Sequence, residues 1–259
     1  MNLETVGRGL YLIAAVFLWN LILATEIVAE RQPFENEELK KMLKAIEKTT
    51  RATRFYTDVK TISDDVMQAL AKVNRAQFVP ERAAEDAFEN HPLRIGYGQT
   101  ISQPFIVALL THLLEIEPDD RILEIGTGSG YQAAVAAELA SQVYTLEIIA
   151  ELAASADKRL KSIGYSNIFV KAGDGWFGWP EAAPFDGILV TAVAPEIPPQ
   201  LLTQLAVGGK LVIPVGHARG NQELVLITRH SPDEISSKDI LPVRFVPFTG
   251  EGILTLRER

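Results

Sequence analysis

From residue 121 onward the chain alternates between short, unbroken apolar runs and longer stretches whose apolar positions recur every three or four residues. The runs at 121–125, 142–146, 168–171, 185–191 and 210–215 read as strands covered on both faces. The stretches at 131–139, 150–163 and 199–205 read as helices. Strand and helix taking turns predicts an α/β fold: a mostly parallel, doubly wound sheet with crossover helices, whose ligand site lies beyond the carboxyl ends of the strands. Gly208-Gly209 reads as the turn before the fifth parallel strand. Residues 223–228 and 243–248 also read as strands, joined by a polar segment with no helix. They predict an antiparallel pair closing the sheet.

Upstream the pattern changes. Leu39, Met42, Leu43 and Ile46 recur at helical spacing within 36–54, an amphipathic docking or linker helix. A second helix is expected over 63–73, with Ser63 as its cap and Asp64 and Asp65 favourable to its dipole. Residues 91–104 carry Pro92, Gly96, Gly98 and Pro104, the punctuation of a loop that delivers the chain into a helix near Phe105. Residues 10–24 (LYLIAAVFLWNLILA) form an apolar run shorter than the ~20 residues that span a bilayer comfortably. Arg8 precedes it, Glu26, Glu30, Glu35, Glu37 and Glu38 follow, and Ala24 and Ala29 offer cleavage positions, so it resembles the core of a signal peptide. A hydrophobic helix packed on the domain is the alternative. The expected organisation is a hydrophobic segment (1–30), a helical extension (31–60) and one α/β domain (61–259).

Composition narrows the chemistry. A formal charge of −8 lacks the excess of Lys and Arg that phosphate backbones require, so a nucleic-acid partner is disfavoured. The absence of cysteine excludes disulfides, thiolate metal sites and a thiol nucleophile. His91, His112, His217 and His230 are scattered without metal-ligand spacing, and they read as surface or loop residues. No G-x-S-x-G elbow surrounds Ser129, and no lysine of the phosphate-loop kind follows the glycines.

The informative motif is LEIGTGSGY at 123–131, a strand running into glycines and then a helix. Gly126 and Gly128 let the backbone approach a ligand. Glu147 lies 21 positions after Gly126, at the end of the next strand, where a carboxylate accepts hydrogen bonds from ribose hydroxyls. A nucleoside ligand follows, either a nicotinamide dinucleotide or S-adenosylmethionine. Tyr131 stands where the dinucleotide fingerprint wants its third glycine. Glu124, just before the loop, would repel a pyrophosphate and attract the ammonium of a methionyl group.

Seven segments in order, RAQFVP (75–80), IGYGQTISQP (95–104), ILEIGTGSGY (122–131), GDG (173–175), PFDGILVT (184–191), GGKLVIPVG (208–216) and VRFVPFT (243–249), resemble the signature segments of protein-L-isoaspartate O-methyltransferases. The likeness covers roughly residues 62–250. It implies a Rossmann-like class I methyltransferase that uses S-adenosylmethionine, without a metal, to methylate the free α-carboxylate of L-isoaspartyl and D-aspartyl residues in damaged proteins. By the resemblance Ser102 is the active-site serine, and Glu124, Gly126, Gly128, Glu147, Asp174, Gly175 and Gln222 surround the cofactor, with Asp174 at the adenine end. Thr100, Ser102 and Val215 belong to the wall that holds the isoaspartyl peptide. The chain departs from the pattern at Val107, where some members carry a cofactor-contacting histidine, and at residues 87–90 (AFEN), where many have a tyrosine and an aspartate. The family also implies a cytoplasmic monomer. The run at 10–24 argues for a periplasmic or membrane-anchored alternative. A nicotinamide-dependent oxidoreductase and an exported binding protein without activity are the rival functions.

Overall fold

The computed structural model describes residues 36–253, so the apolar run at 10–24 lies outside the described residues. Helix α1 (Glu37–Thr57) starts where Asn36 Oδ1 accepts the Leu39 N–H at 2.6 Å, with Glu37 and Glu38 in its positive first turn. Its last residue, Thr57, lies three residues beyond the expected end, and the cap residue Asp58 is in the left-handed region, φ 60°. Leu39, Met42 and Ile46 are buried in the same core as α2 (Asp64–Lys72) and α3 (Pro104–Leu114), so the helix docks on the domain. Ser63 occupies the N-cap position of α2 without a side-chain cap, a correction to the expected role. Its own N–H donates to His112 Nδ1 at 3.2 Å, and Asp64 and Asp65 supply the favourable charge.

The expected loop at 91–104 contains a hairpin, β1 (Leu93–Gly96) and β2 (Gln99–Ile101). Tyr97 (φ 51°) and Gly98 (φ 75°) form its tip, both in the positive-φ conformation that tight hairpin turns require. Strands of three and four residues are too short to declare an alternation.

The main sheet contains the parallel strands β3 (Arg121–Ile125), β4 (Gln142–Glu147), β5 (Ile168–Ala172), β6 (Phe185–Val190) and β7 (Leu205–Gly216), followed by β8 (Gln222–Ser231) and β9 (Glu234–Pro242). Their order across the sheet is β5-β4-β3-β6-β7-β8-β9. Helices α4 (Tyr131–Ala137), α5 (Ala150–Ser162) and α6 (Pro199–Gln204) fall between them in sequence. Strand β7 begins before Gly208 and Gly209, so these are part of the strand and not a turn; Gly208 has φ +88° and the register with β6 shifts between Phe185 and Gly187.

The antiparallel closure is β7 with β8 (Gln222–Ser231) and β8 with β9 (Glu234–Pro242). The last strand is therefore the polar segment and not 243–248. It is an edge strand exposed along most of its length, which removes the hydrophobic signal. Residues 243–248 instead cross the carboxyl ends of the strands: Val193 N–H donates to Val246 O and Phe248 N–H to Val193 O, both at 2.9 Å.

Alternate residues of the strands face two cores, as the two-residue period requires. Ile122, Leu189 and Val212 pack with α1 to α4 on one side, while Leu123, Ile188, Leu211 and Ile213 pack with Trp176, Leu201 and Phe248 on the other. Truncating one of these buried side chains to alanine costs about 2–5 kcal/mol. The chain goes from β3 to neighbouring β4, then β5, and returns to the far side of β3 as β6. That reversal opens a crevice at the carboxyl ends of β3 and β6. No helix among the described residues is long and apolar enough to cross a membrane.

Candidate active site

The floor of the crevice is the glycine loop after β3. Gly126, Gly128 and Gly130 have φ of +97°, +53° and +87°, which side-chain-bearing residues rarely adopt. A Cβ on Gly126 would collide with Thr191 Oγ1, which lies 3.0 Å from Ile125 O and 2.8 Å from Gly126 O. The loop is tied to the next strand by Gly126 N–H and Thr127 N–H, both donating to Leu146 O.

Glu147 ends β4, buried in the wall of the same cavity. Its Oε2 accepts the Gly128 N–H at 2.8 Å and its Oε1 the Ile149 N–H at 3.0 Å, so it staples the loop to the turn before α5. Each carboxylate oxygen keeps a further lone pair for a hydroxyl donor. Gly175 belongs to this wall because a Cβ there would strike the Ile125 side chain.

Glu124 is fully buried at 0% exposure. Thr145 Oγ1 donates to its Oε2 at 2.5 Å, with Thr127 Oγ1 2.6 Å behind, while Oε1 has no partner among the described residues. Burial pushes its carboxyl up to about 8; the Thr145 hydrogen bond opposes the rise, the neighbouring Glu147 adds to it, and the Ala133 backbone N–H near the carboxyl also opposes it. Burial thus favours the neutral form of Glu124 in the ligand-free site. Its orphaned oxygen and the glycine cradle fit the ammonium and the nucleoside of S-adenosylmethionine, and Glu147 fits the ribose.

Asp174 lies beside this cavity, in a wall shared with Ile148, Phe248, Thr249 and Gly250. Its two oxygens accept the N–H groups of Trp176 at 2.9 Å and Gly252 at 3.1 Å. Gln222, expected near the cofactor, is in neither this cavity nor the adjoining groove. Its Oε1 accepts the Phe245 N–H at 2.6 Å and its amide nitrogen reaches His217 O and Ala218 O at 3.4 Å, so it anchors the crossing segment from beneath. Val215, expected in the substrate wall, is also outside both cavities; at the end of β7 it bridges Ala194, and Gly216 N–H donates to Ala194 O.

A groove of about 510 Å³ adjoins the cofactor cavity, lined among others by Ser102, Phe105, Arg244 and Phe245, with Thr49 and Thr53 of α1 on one side. Thr100 and Thr191 line both spaces. Half-buried Ser102 stands in the groove and on a small polar cavity behind the glycine loop. Thr191 was legible in principle, as the residue ending the apolar strand beside the reversal. Thr49 and Thr53 gave no signal, because they sit on a helix whose only pattern is its buried face. The histidines do not converge: His112 is half-buried on α3, with a pKa lowered by burial, and no acidic or imidazole cluster among the described residues could hold a metal.

A parallel sheet reversing beside a glycine loop, with a ribose-type carboxylate on the next strand and a buried acid under the loop, defines a class I S-adenosylmethionine-dependent methyltransferase. The sequence profile of the protein-L-isoaspartate(D-aspartate) O-methyltransferase family matches residues 40–252. A protein-L-isoaspartate O-methyltransferase 2 from Polaromonas sp. (strain JS666) is 50% identical over 210 residues, 81% of this chain and 100% of the relative. A protein-L-isoaspartate O-methyltransferase 1 from Nitrosospira multiformis is 54% identical over 185 residues, 71% of this chain and 78% of its own length. Among solved structures, a protein-L-isoaspartate O-methyltransferase superposes with a TM-score of 0.72 at 26% identity, covering 83% of this chain and 67% of that one. A Plasmodium falciparum protein named a beta-aspartate methyltransferase, solved in complex with S-adenosyl-L-homocysteine, gives 0.67 at 26% identity, covering 83% and 99%. The chain belongs to the protein-L-isoaspartate(D-aspartate) O-methyltransferase family. Membership removes support from the nicotinamide reading.

Proposed function

We propose that this enzyme methylates the free α-carboxylate of L-isoaspartyl and D-aspartyl residues, with Ser102 holding that carboxylate where the peptide groove meets the cofactor cavity. The observation that carries the reading is that junction: Thr100 and Thr191 line both spaces, and Ser102 faces the groove beside them. S-adenosylmethionine supplies an electrophilic methyl group on a sulfonium. The accepting carboxylate, which ordinarily titrates near pH ~4, is ionised at neutral pH, so the protein needs no general base. What the residues contribute is alignment and the exclusion of water, effects that reach roughly 7–11 kcal/mol in well-oriented systems. The Ser102 hydroxyl donates to the carboxylate and fixes its direction. The glycine loop and Glu147 fix the donor, and no metal is called for.

Esterification makes the α-carbonyl a better electrophile, so the following backbone nitrogen closes a succinimide with loss of methanol, and hydrolysis returns part of it to normal aspartate. Incubating an isoaspartyl peptide with enzyme and S-adenosylmethionine should build up succinimide and then aspartyl peptide by chromatography. Persistence of the isoaspartyl form alone would refute the reading. We place the reaction in the cytoplasm, where the methyl donor is made, and expect a monomer. Fractionation with sequencing of the mature N-terminus tests the location, and a shortened chain in an exported fraction would overturn it.

A further inference from the structure

Behind the glycine loop, Ser102, Val107, Glu124, Thr127 and Gln132 are among the residues enclosing a cavity of about 30 Å³, room for a group the size of a water or an ammonium. Two acceptors on its lining residues have no partner among the described residues, Glu124 Oε1 and Gln132 Oε1. Both residues are more than nine-tenths buried, at 0% and 6% exposure. Gln132 lies at the start of α4, and its amide is oriented by its neighbours: Nε2 donates to Thr111 Oγ1 at 2.9 Å, while Thr111 Oγ1 gives its own proton to Val107 O at 2.8 Å. With the Thr111 proton on Val107 O, that hydroxyl accepts from the amide, and Gln132 Oε1 is left without a donor. Neutral Glu124 can carry its proton on Oε1; once it ionises, that oxygen and Gln132 Oε1 are both buried acceptors in need of a donor.

We propose that Gln132, oriented by Thr111, is a positioning residue for the methyl donor, forming with Glu124 a two-acceptor seat for the α-ammonium of the donor's methionyl end. An ammonium carries three donors and no acceptor, which complements the Gln132 carbonyl oxygen and an ionised Glu124. A cation there also allows Glu124 to ionise, against the burial and the Glu147 charge that hold it neutral. The inference rests on the cavity being the S-adenosylmethionine site and adds to it a residue outside the glycine motif.

The test compares two ligands that share the nucleoside and the thioether, S-adenosylhomocysteine and 5′-methylthioadenosine, which lacks the amino-acid end. Calorimetric titration of Gln132→Leu should show S-adenosylhomocysteine affinity reduced about tenfold or more, as for a lost hydrogen bond to a charged group, with methylthioadenosine affinity unchanged. Thr111→Val, close in size, should give a smaller loss with the same selectivity, and it keeps the test open should the leucine variant fail to fold. In both, KM for S-adenosylmethionine should rise while kcat at saturation stays within about twofold. Equal losses for the two ligands, or none, would overturn the proposal. Wild-type protein that binds neither ligand would overturn the cofactor reading and this inference with it.

Discussion

The floor and the roof of the cofactor cavity are built by opposite means. The floor, residues 124–130, is held by contacts with the ends of its neighbouring strands, namely Leu146, Glu147 and Thr191. The roof, residues 243–250, belongs to no strand of the sheet and is held by three distant clasps: Gln222 on Phe245, Val193 between Val246 and Phe248, and Asp174 under Gly250 to Gly252. A Cβ on Gly250, at φ +140°, would run into the Asp174 carboxylate, so the close approach there needs glycine. Two of the residues expected near the cofactor by resemblance, Asp174 and Gln222, hold the crossing chain through Gly252 and Phe245.

The largest effect should come from the floor. Gly126→Ala places a Cβ against Thr191 Oγ1 at a φ that alanine rarely adopts, and S-adenosylhomocysteine affinity measured by calorimetry should fall more than about a hundredfold, some 3 kcal/mol. Ser102→Ala, between floor and roof, should lower kcat by roughly ten- to a hundredfold, the scale of one hydrogen bond to a charged group, with cofactor affinity within about twofold of wild type. Unchanged turnover would remove Ser102 from its role. A smaller effect is expected from the roof: Gln222→Leu should raise the peptide KM by about tenfold or less, through the lost clasp on Phe245. An equal loss from Gln222→Leu and Gly126→Ala would erase the distinction.

A last expectation concerns stability and pH, and not ligand affinity. Folded Glu124 keeps its proton up to about 8, whereas the unfolded carboxyl releases it from its ordinary value of 4.5 upward. The folded state therefore binds more protons throughout that window, and stability of the ligand-free protein falls as pH rises from 4.5 to 8. Glu124→Gln has no proton to lose, so its Tm should fall less than that of the wild type between pH 5 and pH 8. Parallel curves would contradict the neutral buried acid.

The same division explains what the sequence made legible. The parallel strands, the glycine loop and Glu147 could be read because doubly covered strands and a strand-to-helix turn write themselves in adjacent residues. Strand β9 could not, since an exposed edge carries polar side chains on both faces, and the apolar segment 243–248 took its place in the expectation. Its apolar residues are there to cover a cavity, which imitates a strand in one dimension. Thr49 and Thr53 were hidden for a related reason: helix α1 announces its buried face through Leu39, Met42 and Ile46, and the groove uses another part of it. Gln222 lies outside both cavities because its partners, Phe245 and His217, are chosen by tertiary approach.

The most direct test of the account is transfer of a labelled methyl group from S-adenosylmethionine to matched peptides that differ only in carrying isoaspartate or normal aspartate, using residues 36–259. Label in the isoaspartyl peptide alone, sharply reduced by Ser102→Ala, is the predicted result. Equal labelling of both peptides, or of neither while S-adenosylhomocysteine still binds, would contradict it.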